Sequence, residues 1–151
     1  MIKCKVKTVD KDKGWERIKK EMDAAAALKV IIGYYLAERH DDKSDATIPE
    51  IAAIHEYGAP KANIPARPFM STTFDENIKA NKKLIIDMFQ KVTKGTMTAA
   101  AALAAIGEIN AGKIRKKITD IKSPALKSRD GDPLVDTGAL RNACTSKVVS
   151  K

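Results

Sequence analysis

Aromatic side chains are scarce in this chain: Phe, Tyr and Trp make up 5% of its 151 residues. A stacking platform for single-stranded nucleic acid needs rows of exposed rings, so that class of binder is disfavoured. Histidine is scarcer still, with His40 and His55. A metal site wants several His, Cys or carboxylate ligands at fixed spacing. His40 is followed by Asp41 and Asp42 in a turn-rich stretch, and His55-Glu56 lacks the second histidine of an H-E-x-x-H helix. Cys4 and Cys144 form no C-x-x-C pair and are expected as free thiols. Asp130-Gly131-Asp132 lacks the later ligands of a calcium loop. No glycine-rich phosphate loop occurs, and Gly95, Gly107 and Gly112 are spaced as helix punctuation or packing positions. No catalytic residue, metal ligand or cofactor is therefore expected, and the chain reads as a non-enzyme. No apolar run is long enough for a membrane span, and Met1-Ile2-Lys3 leads into alternating residues in place of an apolar leader. A cytosolic protein without membrane contact is the expectation.

What is present is positive charge. Lys and Arg number 28 against 19 Asp and Glu, a net +9. Such an excess favours a position near a polyanion, and it also serves plain solubility. Hydrophobic residues at 44% and charged residues at 31% are values of a globular domain, and the length fits a single domain over 1–151.

Periodicity outlines the elements. Residues 2–9 alternate apolar and lysine, the pattern of an edge strand. Gly14 to Ala27 reads as a helix with Trp15, Ile18, Met22 and Ala25 on one stripe. Leu28 to Leu36 is β-branched and aromatic, a buried strand, and Glu38 to Asp45 is a loop. A long helix is predicted from about Pro68 to Lys94, with Phe74, Ile78, Ile85, Met88, Phe89 and Val92 on one face and Gly95 as its stop. Thr98 caps a second long helix to about Ile121, with Leu103, Ile106, Ile114, Ile118 and Ile121 on one side. Ser123 to Pro133 is a loop, Asp136 caps a short final helix, and Cys144 to Val149 is a closing strand. The expected fold is α+β, a small antiparallel sheet of the three strands packed against two long helices.

The most distinctive run is Ile48 to Met70, IPEIAAIHEYGAPKANIPARPFM. Thr47 and Glu50 form a capping box, Pro49 sits in the first turn, and Gly58 is the C-terminal stop. Pro60, Pro65 and Pro68 then stiffen a loop that carries Arg67 and ends in Phe69 and Met70. A loop this rigid is a candidate contact surface, with Tyr57, Pro60, Pro65, Arg67, Pro68 and Phe69 as its interface residues. Arg67 reads either as a partner in an intersubunit or intraloop salt bridge or as a solvated arginine.

The helix end with His55, Glu56, Tyr57 and Gly58, followed by Asn63-Ile64-Pro65-Ala66-Arg67-Pro68-Phe69, resembles the tailed-phage virion-morphogenesis proteins, the tail-completion and head–tail joining group. A second run, Pro133-Leu134-Val135-Asp136-Thr137-Gly138-Ala139-Leu140-Arg141-Asn142, is similar to that group's P-L-x-D-T-G-x-L-R stretch. The resemblance spans Ile48 to Asn142, and the first 45 or so residues carry no matching motif. It implies a structural virion protein at the head–tail junction: a tail-completion, tail-terminator or neck protein. Such proteins form closed homo-oligomeric rings, typically sixfold, around the DNA passage. The implied partners are other copies of the chain, other phage tail or neck proteins, and DNA contacted without sequence preference. The implied location is the virion, assembled in the host bacterial cytoplasm, with His55 a packing or interface residue beside Tyr57. The competing class is a basic nucleic-acid-binding module.

Overall fold

The computed structural model describes residues 14–35, 46–125, 133–134 and 138–151. Helix α1 runs Trp15–Ala26 and strand β1 follows at Leu28–Gly33. Helix α2 spans Ile48–Tyr57, a 3-10 turn Pro60–Ala62, α3 Phe69–Glu76, α4 Ile78–Lys94 and α5 Ala99–Asp120. Helix α6, Ala139–Ala143, leads into β2, Thr145–Ser150. The strands pair antiparallel from Leu28 opposite Ser150 to Gly33 opposite Thr145. The protein is an α+β domain with a two-stranded sheet among the described residues. The strand expected over 2–9, the loop over 38–45, Cys4, His40, Asp136 and Thr137 lie outside those residues.

The helix ends obey their local signals. Glu50 accepts from the Thr47 backbone N–H at 2.7 Å and from its hydroxyl at 2.8 Å, so the capping box forms. These two bonds, the backbone one first, hold the Glu50 carboxyl below its ordinary range. Thr98 caps α5 by accepting from Ala101 N–H at 3.2 Å, and Gly95 closes α4 in the left-handed conformation. Gly138 directly precedes α6, the position expected of Asp136.

Helix α5 is the spine of the domain. Ala99, Ala102, Ile106, Gly107, Asn110, Ala111, Ile114 and Ile118 are buried along it. It packs on both strands, on α1, and on α3, α4 and α6. Gly107 is where the sheet comes closest: a Cβ there would stand 2.8 Å from the Ser146 hydroxyl and from a Val30 methyl. Truncating fully buried Ile114 or Ile118 to Ala would cost about 2–5 kcal/mol, the transfer term plus a cavity term.

Two expectations, the single helix over 68–94 and the strand reaching Leu36, are corrected. The helix over 68–94 is two helices, broken at Asn77, whose side-chain amide donates to the Thr73 carbonyl at 2.9 Å. That carbonyl also takes the Asn77 backbone N–H at 3.2 Å, so a short polar side chain competes for a helical acceptor. The sheet rests on α5 and α1, while α4 packs on α5. Strand β1 stops at Gly33, short of Leu36, and Tyr34 turns inward to meet the Phe69 ring edge-on, with centroids 6.4 Å apart.

Candidate functional site

Helix α2 ends at Gly58, whose φ of 77° and ψ of 166° suit glycine. The chain then doubles back. Ala59 and Ile64 exchange backbone hydrogen bonds at 2.9 and 3.1 Å, and Arg67 N–H donates to the His55 carbonyl at 2.6 Å. A Cβ on Gly58 would lie 2.9 Å from Ala66 N, so only a glycine lets the loop lie this close.

Two charged side chains lock the fold-back. The Glu56 carboxylate is buried and accepts from Met70 N–H at 2.9 Å, Ser71 N–H at 3.0 Å and the Ser71 hydroxyl at 2.6 Å. It therefore caps the start of α3, where negative charge suits the helix dipole. The Arg67 guanidinium, 3% exposed, donates to the Pro124 carbonyl at 2.9 Å and the Ala125 carbonyl at 3.3 Å. Arg67 is therefore not a solvated arginine, and its side-chain partners among the described residues are backbone carbonyls. Phe69 is fully buried. Of the six expected contact residues, Arg67 and Phe69 are thus internal, because one clamps the loop and the other anchors it. Tyr57, Pro60, Pro65 and Pro68 face outward.

Tyr57, Pro60 and Pro65 border a groove of about 880 Å³ that His55, Ile64 and Arg67 also line. Its walls are mostly apolar. Tyr57 stands at its edge, 81% exposed. His55 Nδ1 is buried without a hydrogen-bond partner among the described residues. Burial first, and the Arg67 charge second, hold the imidazole below its ordinary range, so it is neutral at pH 7. A groove of this kind can seat apolar side chains from another surface.

The second motif run packs behind the first. Leu134, Leu140 and Cys144 share one buried cluster with Ile48, Ala52 and Phe69. Helix α6 packs on α2, and Arg141 stays at the surface edge, 3.6 Å from where a Gly138 Cβ would be. Cys144 is a free, buried thiol, and burial pushes its ionisation up. The described residues of the two runs therefore share one core, with the groove on its outside.

A second apolar surface went unread in the sequence. The face expected to bury Phe74, Ile78, Ile85, Met88, Phe89 and Val92 is turned. Val92 is buried and Met88 and Phe89 partly so, yet Phe74, Ile78 and Ile85 are exposed, as is Ile86. The inward side of α4 carries Val92 and Met88, packed with Ala99 and Ala102 of α5, and Asn81, which accepts from Lys113 Nζ of α5 at 2.5 Å. Trp15, placed on the α1 stripe by spacing, is 66% exposed. The signal available was the surplus itself: α4 carries more apolar residues than one packed face can hold.

Among the described residues no group of three or more His, Cys, Asp or Glu converges as metal ligands, and no helix is long and apolar enough to cross a membrane. No protein-family model, curated protein or solved structure matches this chain.

Proposed function

We propose that this chain is a structural subunit of a tailed-phage virion, acting at the head–tail junction as a ring of identical copies around the DNA passage. The observation that carries the reading is the pair of motif runs that pack on each other through one core and leave the Tyr57 groove outward. Their rigid loop is built with buried charges and three prolines, more than a solvated connection needs. The exposed apolar residues of α3 and α4 provide a separate surface, and a closed ring joins two different surfaces of neighbouring copies. Net charge of +9 per copy, multiplied around a channel, would hold DNA loosely and without sequence preference.

Electron microscopy of the purified protein, alone and with tail tubes, tests the reading. Closed rings, or density capping the tube end, are expected. A protein that stays monomeric under both conditions and binds duplex DNA with a preference of about a hundredfold for one sequence overturns it in favour of a nucleic-acid-binding module.

A further inference from the structure

The groove beside Tyr57 holds a buried charge without a counter-charge. Arg67 is 3% exposed, and its Nε and Nη2 donate to the Pro124 and Ala125 carbonyls. Among the described residues Nη1 makes no hydrogen bond, and no carboxylate pairs with the guanidinium. The buried acid of this region, Glu56, has both oxygens committed to Met70 and Ser71. Arg17 shows the same pairing with carbonyls, but it is exposed, and water completes its hydrogen bonding. A guanidinium as buried as Arg67 is ordinarily matched by an acid.

The head group lies at the groove wall. Pro124 and Ala125, whose carbonyls hold it, line the groove together with Arg67 and His55. His55 brings Nδ1, which also lacks a partner. No Asp or Glu occurs among the described lining residues, and Pro60, Ile64 and Pro65 make the rest of the wall mostly apolar. What enters must therefore be anionic at one point and apolar around it. A phosphate fits poorly: its several charged oxygens would find a single guanidinium edge between apolar walls. A carboxylate is answered by one such edge, and the chain that carries it can be apolar on both sides.

A groove of about 880 Å³ takes several side chains, far more than a carboxylate alone. Tyr57, 81% exposed at its edge, presents a ring and a hydroxyl of the kind that anchors protein contacts. The Ala59–Ile64 pairing and the Arg67 N–H bond to the His55 carbonyl fix the walls before anything enters. Little ordering is then left to oppose binding. We infer that the groove takes a segment of another polypeptide that presents one aspartate or glutamate between apolar side chains. The carboxylate meets Arg67, and the apolar side chains meet Tyr57, Pro60, Ile64 and Pro65. This goes beyond the ring reading and does not depend on it, because the site is defined by the chemistry of the segment, whichever chain carries it.

The test uses the full chain as bait for a displayed library of random heptapeptides. Enriched peptides should carry an acid flanked by apolar residues. Glutamine or asparagine in place of that acid should weaken binding at least about tenfold, the worth of a hydrogen bond to a charged group. Tyr57→Ala changes an exposed ring and leaves the Arg67 clamp intact, and it should weaken binding by a similar factor. No enrichment, or enriched peptides without an acid, overturns the inference. So does an acidic peptide that binds the Tyr57→Ala protein as well as wild type. Phenylpropionate binding as tightly as the best peptide overturns the polypeptide assignment in favour of a small apolar acid. Wild type that binds the acidic peptide through Tyr57 yet never forms rings supports this site and counts against the ring reading alone.

Discussion

Two turns between helices are closed by the same pair of side chains, an acid on helix N–H groups and an arginine on carbonyls. At the α4–α5 turn both come from α1. Arg17 donates to the Val92 and Thr93 carbonyls at 2.9 and 2.7 Å, and Glu21 accepts from Ala99 N–H at 2.6 Å. Each sits at the helix end whose dipole it complements. At the α2–α3 turn the acid is Glu56 and the arginine is Arg67. The chemistry is shared and the burial is not. Arg17 is exposed and Glu21 half-buried, whereas Glu56 and Arg67 are buried. Water and salt can replace part of the first clamp. In the second, losing one member leaves donors or acceptors stranded away from water. The first clamp fastens a turn at the edge of the helices, and the second holds rigid a loop that shapes a surface.

The largest expected effect separates the two acids. Glu56→Ala should lower the free energy of unfolding by about 3 kcal/mol, because two N–H groups of α3 and the Ser71 hydroxyl lose their acceptor. Glu21→Ala should cost about 1 kcal/mol, an ordinary cap deletion. Urea denaturation of both variants measures the gap, and equal losses would break the distinction by burial.

The glycines come next. Gly58→Ala should cost about 2–3 kcal/mol, since its backbone region is close to glycine-specific and the new methyl would meet Ala66 and Ile64 backbone atoms. Gly95→Ala should cost about 1 kcal/mol, because the neighbour there is the movable Arg17 guanidinium. Thermal unfolding that ranks Gly95→Ala as the worse of the two would contradict this account of why the second turn is rigid.

The smallest effect is a pH dependence confined to the second turn. Burial lowers the His55 pKa in the folded state, so the unfolded chain binds the proton more readily. The stability that His55 contributes is complete above its unfolded pKa, near 6.5, and is lost as pH falls below that toward the folded value. Between pH 7.5 and pH 5.5 wild type should lose more stability than His55→Gln. Parallel curves for the two proteins would show that the imidazole is not the titrating group.

The sequence by itself determined whatever depends on neighbours a few residues away. The Thr47–Glu50 capping box, Pro49 in the first turn, the stops at Gly58 and Gly95, and the Thr98 cap all appear as expected. The strand at Leu28 and the closing strand before Lys151 were legible from β-branched content, and the small sheet and long α5 with them. Helical periodicity also found the apolar side of α5, because one stripe there accounts for nearly all its large apolar residues. It failed on α4, where two apolar stripes compete and packing of Val92 and Met88 with Ala99 and Ala102 of α5 takes one of them inward. It passed over the break at Asn77, since a side chain bonding one turn back looks no different in sequence from one pointing into water. The groove was half legible: its prolines and Tyr57 stood out, while the jobs of Glu56 and Arg67 did not. Their partners lie 14 and 57 residues away along the chain, and Glu21 reaches across 78. Such pairings are settled by where packing brings the backbone, and a charged residue carries no mark of its distant acceptor. Tertiary structure alone therefore decided which charges are buried clamps and which apolar residues remain free to meet another surface.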